Sequence, residues 1–503
     1  MKKLFLDFLE YIYSIFGRPG EVIPPGLTFD DVLLVPNYSG LTPDDVISTR
    51  VQLCRGIEIN TPFIAAAMDT VTESAMAIIM ARNGGVGIVH RGCSVETQCR
   101  EVIHVKRHQS SMVTNPHTLL ASQTVGDALK LYGEYGFGTF PIIDDNKKLI
   151  GLVTESRINN YSDHPEKLLS KIMVPFTELS IVYKGTSIDE AKEIMKEKDK
   201  KKLLVVASET DHTLIGIYFK KDIANISKYP NMAVDSKGRL LVGAAIGVGD
   251  DGYERAEALI KAGVDVLCID TAQGDSSGVI NIVKRLKKEY SHIPVIAGNV
   301  VTAEGAQRLI DAGADAVKVG VGPGAICTTR EMTGNGFPQF SAIREVTKVT
   351  KKANIPLIAD GGIKTPGDIV KALAAGADLV MMGSVFAGTD EAPGIIVEQG
   401  TARYKEYRGM GSEQAMKASL GVANDRYLVK PGVIKKVAEG VSGLVPYKGP
   451  VQDIIDKYLG ALVQSMRVYR GAKNIKELQT NPKFIHQTQL GKIESGTRDL
   501  IFK

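Results

Sequence analysis

The chain has 503 residues, of which 44% are hydrophobic and 23% charged, a composition that is ordinary for a soluble globular protein. It excludes a mainly disordered, collagenous or membrane-embedded chain. Lys and Arg number 61 against 57 Asp and Glu, and this net charge of +4 predicts neither nucleic-acid nor membrane binding. Glycine is abundant, at 51 residues, and tryptophan is absent. Because glycine permits tight turns and close backbone approaches, the glycine clusters should locate the functional site.

The cysteines and the N-terminus bear on the compartment. The cysteines are Cys54, Cys93, Cys99, Cys268 and Cys327. They form no CxxC pair, which favours a reducing compartment, the cytoplasm, over a disulfide framework or structural zinc. The N-terminus has a positive start and an apolar stretch, but Asp7 and Glu10 interrupt it and no A-x-A-like site follows, so an amphipathic helix ending at Gly17 is favoured over a signal peptide. No apolar run is long enough to predict a transmembrane helix.

Eight short apolar runs alternate with helical patterns along most of the chain. The predicted strands are Phe63–Met68, Gly85–Val89, Leu241–Ile246, Val264–Asp270, Pro294–Asn299, Ala316–Gly320, Pro356–Asp360 and Leu379–Gly383. Such nearly continuous apolar runs are typical of parallel strands covered on both faces. Three helix-to-strand junctions repeat one phrase, in which Gly263, Gly313 and Gly376 fit C-terminal helix caps. The pattern predicts an α/β fold, a (β/α)8 TIM barrel rather than a doubly wound sheet.

The strand-helix rhythm breaks between about residues 111 and 230, where a second repeat occurs. Each copy, at about 112–168 and 173–227, has a Met-Val pair, a helix with a threonine N-cap (Thr124 or Thr186) and a strand pair joined by a polar turn (Asp144–Lys148 or Glu209–Thr213). This repeat resembles a tandem pair of cystathionine-β-synthase (CBS) modules, a Bateman domain, inserted into a barrel loop. The predicted domains are the barrel's N-terminal part at 1–110, the insert at 111–230 and the rest of the barrel at 231–503.

The glycine clusters lie in loops that follow predicted strands, where barrel active sites lie. The densest is GVGPGAICTTR, Gly320–Arg330, which could form a nest for phosphate or a carbonyl cage for a cation. A lone cysteine is more often a buried hydrophobe, but this loop context makes Cys327 a candidate nucleophile. Asp270 and Asp360 end other strands, where a carboxylate suits a ribose diol. MMGSVFAGT, from Met381, adds a glycine and a serine suited to phosphate.

The segment from Tyr404 to Lys448 is a long polar excursion with several glycines, interpreted as a structureless lid or flap. Arg426 and Tyr427 lie within it. A surface arginine beside a packing tyrosine is the commoner arrangement, although an arginine next to a tyrosine hydroxyl in a closed lid could act as a base.

Several motifs together resemble the inosine-5′-monophosphate (IMP) dehydrogenase family over nearly the whole chain. They are GLTFDDVLLVP (Gly26–Pro36), AAAMDTVTE (Ala65–Glu73), GVGPGAICTTR, ADGG, MGS, YRGMGS, and DRY ahead of AEGVSG. The resemblance implies oxidation of IMP to xanthosine monophosphate (XMP) with NAD. It implies that Cys327 attacks C2 of the hypoxanthine ring, that hydride passes to NAD, and that Arg426 with Tyr427 activates the water that hydrolyses the thioimidate. It also implies a second proton relay through Thr329 and Glu439.

The resemblance implies three further sets of contacts. The substrate-binding residues would be Asp360, Gly361, Gly362, Gly383, Ser384, Tyr407, Arg408, Gly409, Met410, Gly411 and Glu439. The NAD-binding residues would be Asp270, Gly320, Val321 and Gly322. Potassium would be bound by Gly322, Gly324 and Cys327, completed by Glu494, Ser495 and Gly496 of a neighbouring subunit. The implied assembly is a homotetramer, with an octamer as the alternative.

Some positions depart from the family pattern. Ala325 replaces a usual serine that contacts phosphate, and Gly496 replaces a frequent histidine whose contact would be a backbone carbonyl. In the insert, the first copy keeps Thr154 but lacks the usual aspartate, and the second keeps Asp222 but has Phe219 in the threonine position. Purine-nucleotide binding there is therefore a weak hypothesis.

Three alternatives remain at this point. A GMP reductase would share the barrel, the cysteine loop and the Thr-Glu relay, but it uses NADPH and needs no Arg-Tyr flap. A non-catalytic nucleotide sensor would not need a nucleophile. A nucleic-acid role for the insert has only the basic run Lys196–Lys202 in its favour, and a solvated helix end is the preferred interpretation of that run.

Overall fold

The computed structural model describes residues 25–108, 112–114, 116–136, 138–221, 223, 228–418 and 437–497. The predicted helix ending at Gly17 lies outside these ranges. So do Asp222 in the insert and Arg426 and Tyr427 in the predicted flap.

Eight parallel strands close into a barrel, with neighbours paired in chain order around it. They are β1 (Phe63–Ala65), β2 (Val86–Val89), β3 (Gly243–Ile246), β4 (Val266–Ile269), β5 (Val295–Val300), β6 (Ala316–Val319), β7 (Leu357–Asp360) and β8 (Leu379–Met382). Every strand residue is buried except Asp360, which is half-buried at the end of β7. The predicted (β/α)8 barrel is confirmed, with seven strands slightly shorter than the sequence suggested and β5 of the same length but shifted by one residue.

An α-helix follows each barrel strand and packs outside it. These helices are Ser74–Arg82, Val95–Lys106, Gly249–Ala262, Ser277–Glu289, Ala303–Asp311, Gln339–Ala353, Pro366–Ala374 and Val451–Gln464. The predicted glycine caps are confirmed, since Gly263, Gly313 and Gly376 all have positive φ at or just after a helix end. No helix in the described ranges is long and apolar enough to cross a membrane.

The aspartate of each repeated helix-to-strand phrase fastens its strand to the preceding one. Asp265 accepts a hydrogen bond from the N–H of Val242, just before β3. Asp315 and Asp378 do the same for the first residues of β5 and β7, at 2.9 and 2.8 Å. Each carboxylate thus satisfies a buried N–H that would otherwise lack a partner at the start of a strand. Each copy of the repeated phrase therefore supplies a glycine that caps a helix and an aspartate that hydrogen-bonds to the start of the preceding strand.

The region between β2 and β3 contains two four-stranded sheets. One is made of Leu119–Leu120, Phe140–Ile143, Leu149–Val153 and Val174–Pro175, and the other of Met112–Thr114, Ile181–Tyr183, Lys202–Val206 and Leu214–Phe219. Helices Val125–Tyr135, Glu155–Asn160 and Ile188–Glu197 accompany them. The Met-Val strand ahead of each copy pairs in the sheet of the other copy, so the two halves exchange strands.

The N-cap prediction for the insert is half right. Thr124 caps its helix with a capping box. In the second copy the cap is Ser187, and the Thr186 hydroxyl instead donates to the carbonyl of Tyr183. Ser187 lies three residues before Glu190, whose carboxylate completes the reciprocal pair of bonds, and this spacing decides the position.

Both connections to the insert lie where the barrel strands begin. The chain leaves after the helix Val95–Lys106 and returns before β3. The N–H of Leu240 donates to the carbonyl of His108, and the buried Lys106 Nζ forms ion pairs with Asp235 and Asp265 at 2.9 and 2.8 Å. These contacts bring the two connecting segments together at the end of the barrel opposite the carboxyl ends of the strands.

The predicted flap is not structureless at its ends. Ala402–Arg408 pairs with Ile396–Gln399 on one side and Ser442–Pro446 on the other, in a three-stranded antiparallel sheet. Two further strand pairs join Val32–Leu34 to Phe484–His486 and Val51–Cys54 to Ile57–Ile59. The remaining short helices are Thr329–Thr333, Glu413–Ala418, Ile475–Leu478 and Gln489–Glu494, and Ser465–Arg470 forms a π-helical turn.

Candidate active site

A cleft opens at the carboxyl ends of the barrel strands. Loops after β1, β4, β6 and β7 line it, together with the ends of β5, β6 and β8. The predicted flap contributes Tyr407 of the central strand Ala402–Arg408 and the segments Gly409–Gly411 and Glu439–Gly440. Fourteen predicted site residues line this cleft: Asp270, Gly320, Val321, Gly322, Gly324, Cys327, Thr329, Asp360, Gly361, Tyr407, Gly409, Met410, Gly411 and Glu439. Residues far apart in the sequence therefore meet in one site, as parallel strand ends of a barrel require.

Cys327, Thr329 and Glu439 form one chain of contacts. The Cys327 Sγ lies 3.1 Å from Thr329 Oγ1. That hydroxyl donates to Glu439 Oε2 at 2.9 Å. A thiol, a hydroxyl and a carboxylate in series can hold a nucleophile and pass a proton to a base.

Backbone hydrogen bonds hold the cysteine loop, Gly320–Arg330, against the segment Glu439–Val441. The N–H of Thr328 donates to the carbonyl of Glu439, and the N–H of Val441 donates to that of Ile326, each at 3.0 Å. The N–H of Glu439 in turn donates to the carbonyl of Gly411. This pairing fixes the distance between Thr329 and Glu439 although no regular strand contains either residue.

Arg330 closes the base of the same loop. Its guanidinium donates to the carbonyl oxygens of Phe337 at 2.6 Å and Val321 at 3.4 Å. Gly322 has φ of +83°, and a Cβ there would lie 2.6 Å from the Arg330 side chain. Glycine at this position is therefore needed both for the turn and for the arginine that ties the loop.

Asp360 stands in a buried polar network at the end of β7. Its Oδ2 accepts from Lys318 Nζ at 2.8 Å and from Asn299 Nδ2 at 2.9 Å. Lys318 Nζ also donates to Asn299 Oδ1, and Asn299 Nδ2 donates to the carbonyl of Gly320 at 2.7 Å. Burial disfavours the lysine charge, but the attraction of Asp360 outweighs it and the pKa of Lys318 is raised. Lys318 and Asp360 are thus in ion-pair contact among the residues that line the cleft.

Asp270 is also paired with a buried cation. Arg91, which follows β2, lies with its Nε 3.8 Å from Asp270 Oδ2 and donates to the Asp270 carbonyl at 3.1 Å. Both side chains are more than nine-tenths buried. The two strand-end carboxylates predicted from sequence are thus each accompanied by one basic side chain from the barrel.

Glycines predicted to hold a phosphate surround Pro323 and Tyr407. Gly361 and Gly362 have φ of +90° and +82°, and a Cβ on either would contact Pro323. A Cβ on Gly383 would lie 3.1 Å from the Tyr407 hydroxyl. Burial, and then the nearby Asp360 charge, raise the pKa of Tyr407, so its hydroxyl is a neutral donor. Gly362, Gly383 and Ser384 do not themselves line the cleft, although Gly362 follows Gly361 and a Cβ on Gly383 would contact Tyr407, both of which do.

The YRGMGS segment is anchored to the loop after β1. Arg408 forms two hydrogen bonds to Asp69 Oδ2, at 2.9 and 2.6 Å, and its N–H donates to Thr70 Oγ1. The N–H of Asp69 contacts Met410 Sδ at 3.5 Å. Arg408 is therefore engaged by Asp69, and Gly409, Met410 and Gly411 form the cleft wall.

The residues implied for a neighbouring subunit lie away from this chain's own cleft. Glu494 ends the helix Gln489–Glu494, and Ser495 and Gly496 follow it in exposed positions. None of the three lines the cleft. No group of three potential metal-ligating side chains occurs in the described part of the chain.

Comparison with known proteins identifies the family. A model of the IMP dehydrogenase / GMP reductase domain matches residues 26–498. The chain belongs to the IMP dehydrogenase / GMP reductase family. Inosine-5′-monophosphate dehydrogenase of Aquifex aeolicus (strain VF5) is 46% identical over 95% of this chain and 96% of its own. The Bacillus subtilis (strain 168) enzyme of the same name is 44% identical over 94% and 96%.

The chain is also similar to a solved structure of a GMP reductase, the other enzyme in the family's name. It is a cysteine-to-alanine variant of Trypanosoma brucei GMP reductase in complex with guanosine 5′-monophosphate. The TM-score is 0.82, at 38% identity, over 95% of this chain and 99% of that one. The fold alone therefore does not separate the two activities.

Sequence reasoning missed the basic and amide partners of the two aspartates. Lys318 is a charged residue inside the otherwise apolar strand AVKV, and a lysine in a fully buried strand rarely occurs without a partner. That feature could have flagged it. Asn299 lies within β5 and ends the strand predicted at Pro294–Asn299. The search for polar residues at strand ends, which found Asp270 and Asp360, would therefore also have found Asn299. Arg91 carried no such signal, because it follows its strand in an ordinary polar turn.

Proposed function

We propose that this chain oxidises IMP to XMP, with NAD as the hydride acceptor, in the formation of guanine nucleotides. The observation that carries the proposal is the contact of Cys327 Sγ with Thr329 Oγ1, backed by Glu439, at the mouth of the cleft. Relatives named inosine-5′-monophosphate dehydrogenase, at 42–46% identity over nearly the whole chain, support it.

The chemistry divides into two steps at one carbon. The Cys327 thiolate forms a bond to C2 of hypoxanthine, and the hydride on C2 passes to NAD, which leaves a thioimidate between sulfur and purine. Water then adds to C2 and the carbon–sulfur bond breaks, which releases XMP and restores the thiolate. Arg426 with Tyr427, and Thr329 with Glu439, take the proton from that water. Covalent catalysis thereby separates oxidation from hydrolysis.

The nucleotide would lie across the strand ends. Asp360 accepts from the ribose hydroxyls, and Gly362, Gly383, Ser384 and the neutral Tyr407 hydroxyl surround the phosphate. Asp270, held by Arg91, suits the nicotinamide ribose of NAD, with Gly320, Val321 and Gly322 beside it. The flap that carries Arg426 would enter the NAD position after the reduced dinucleotide leaves.

A potassium ion fits the cysteine loop. Among the described residues no hydrogen bond uses the carbonyl oxygens of Gly322 and Cys327, and that of Gly324 accepts one from the Cys327 N–H at 3.1 Å. Carbonyl oxygens with spare lone pairs are suitable potassium ligands. Glu494, Ser495 and Gly496 of a neighbouring subunit would complete the site in a homotetramer. The ion would hold the loop in the conformation that presents the thiol.

The domain division at residues 111 and 230, and the CBS character of the insert, are part of the same proposal. Four-stranded sheets that exchange a strand support two related modules. A purine nucleotide is the candidate ligand for this pair.

GMP reductase is the second candidate, because a GMP reductase structure matches at a TM-score of 0.82. The Arg426-Tyr427 pair favours the dehydrogenase, since a reaction that releases ammonia needs no hydrolytic flap. The test is absorbance at 340 nm, with and without potassium. A rise with IMP and NAD that depends on potassium supports the proposal. A fall with GMP and NADPH, and no rise with IMP, would replace it.

A further inference from the structure

Lys318 is a charged side chain in a barrel strand whose other residues are apolar. It lies in β6, its side chain is only 4% exposed, and its Nζ contacts Asp360 at 2.8 Å. Burying an ammonium group is unfavourable unless it is paired and hydrogen-bonded. The barrel could have placed an aliphatic residue here, so the lysine calls for a role in the cleft that it lines.

The two carboxylate oxygens of Asp360 differ in their hydrogen bonds. Lys318 and Asn299 both donate to Oδ2, and no hydrogen bond among the described residues reaches Oδ1. Asn299 is itself fixed, because its amide also donates to the carbonyl of Gly320 and accepts from Lys318. The carboxylate is therefore held by one oxygen, with the other left as an acceptor beside the cleft.

We propose that Lys318, with Asn299, is a positioning residue that holds the Asp360 carboxylate in the orientation in which it accepts from a ribose hydroxyl, and so makes the site selective for ribonucleotides. The inference rests on the proposed function only in taking a ribose monophosphate as the ligand. A carboxylate that accepts from a hydroxyl discriminates strongly against a ligand that lacks that hydroxyl, because the desolvated acceptor is then left unpaired. Lys318 contributes by holding that acceptor in one orientation through its contact with Oδ2.

The test measures binding rather than turnover. Dissociation constants for IMP, 2′-deoxy-IMP and 3′-deoxy-IMP are measured by calorimetry on the full chain and on Lys318→Met, with melting temperatures as a folding check. The unsubstituted chain should bind IMP about 10- to 100-fold more tightly than at least one deoxy form. Lys318→Met should weaken IMP binding by a similar factor and weaken that deoxy form by less than about threefold. The discrimination is lost, whereas general damage to the fold would weaken all ligands together.

Three further variants keep the outcome clear. Lys318→Arg keeps the cation and should restore at least part of the discrimination. Asn299→Ala removes the second donor to Oδ2 and decides the question if Lys318→Met does not fold. Lys106→Met removes an equally buried lysine at the other end of the barrel and should leave the ratio of dissociation constants unchanged.

Two results would overturn the inference. One is equal binding of the three ligands by the unsubstituted chain, and the other is an equal loss for all three in Lys318→Met. Preserved discrimination without IMP oxidation would refute the proposed function and leave the inference standing. If IMP does not bind, GMP and its deoxy forms provide the same comparison.

Discussion

Thr329 Oγ1 donates a hydrogen bond to Glu439 Oε2 at 2.9 Å, although 110 residues separate the two in the sequence. The backbone pairing of Thr328 with Glu439 sets this distance, so the hydroxyl and the carboxylate meet although no strand contains either residue. The same hydroxyl lies 3.1 Å from the thiol of Cys327. One threonine thus connects the nucleophile to the carboxylate of Glu439, and its removal should lower the rate of the chemical steps more than the binding of substrate.

Thr329→Val is expected to lower kcat for IMP oxidation by about 10²-fold, because the valine fills the same volume but cannot relay a proton. KM for IMP should stay within about threefold, since the Thr329 hydroxyl is not itself among the groups expected to bind IMP. Steady-state assays at 340 nm measure both. Thr333→Val is the matched control, because that exposed hydroxyl donates to the Thr329 carbonyl and accepts from the Asn335 N–H, outside the chain of contacts from Cys327 to Glu439. An unchanged kcat in Thr329→Val would show that Thr329 does not relay a proton in the reaction.

Glu439→Gln should be non-additive with Thr329→Val. Each change alone interrupts the same proton path, so the double variant should be no slower than the slower single variant, within about twofold. A double-mutant cycle on kcat measures this coupling. Losses that simply multiply would mean that Glu439 acts on the purine independently of Thr329.

The barrel was predictable because its signals are local. Runs such as AVKV and LIAD are nearly continuous in apolar residues, and the phrase ending in Asp315 repeats at two other junctions. The strand ends then located Asp270 and Asp360. What the sequence could not supply was the partners, since Arg91 and Asp270 are distant along the chain and meet only when β2 and β4 lie in one barrel. The strands at the edges of the predicted flap were missed because their pairing partners are likewise remote.

Arg426→Ala should separate the two chemical steps. Hydride transfer uses Cys327 and NAD, so a first-turnover burst at 340 nm should persist with nearly its full rate. Hydrolysis should slow by about 10²-fold or more, because the water loses its base. Stopped-flow absorbance resolves burst from steady state, and Arg100→Ala, on an exposed helix face, is the control. An equal loss in both phases would contradict the assigned role.

Ala325→Ser should lower KM for IMP. The position lies in the cysteine loop, where the family pattern has a serine that contacts phosphate, and a hydrogen bond to a charged group contributes about 1.5–3 kcal/mol. Neighbouring amides that already bind the phosphate would reduce the gain, so a KM about three- to tenfold lower, with kcat little changed, is the expected result. Ala325→Val, which adds a side chain without a hydroxyl, is the control. If the serine leaves KM unchanged, other groups bind the phosphate fully.

Asp315→Ala should destabilise the barrel without touching the cleft. The carboxylate is buried, accepts from the Val295 N–H at 2.9 Å, and pairs with Lys287 Nζ at 2.8 Å. Its removal leaves a buried N–H and a half-buried ammonium without their partner, a loss of about 3–5 kcal/mol. The melting temperature and the urea midpoint should both fall, while KM for IMP at low temperature stays unchanged. Asp311→Ala, four positions earlier and exposed, should change stability by no more than about 0.5 kcal/mol. Equal effects of the two changes would mean that the contacts of Asp315 with Val295 and Lys287 contribute nothing to stability.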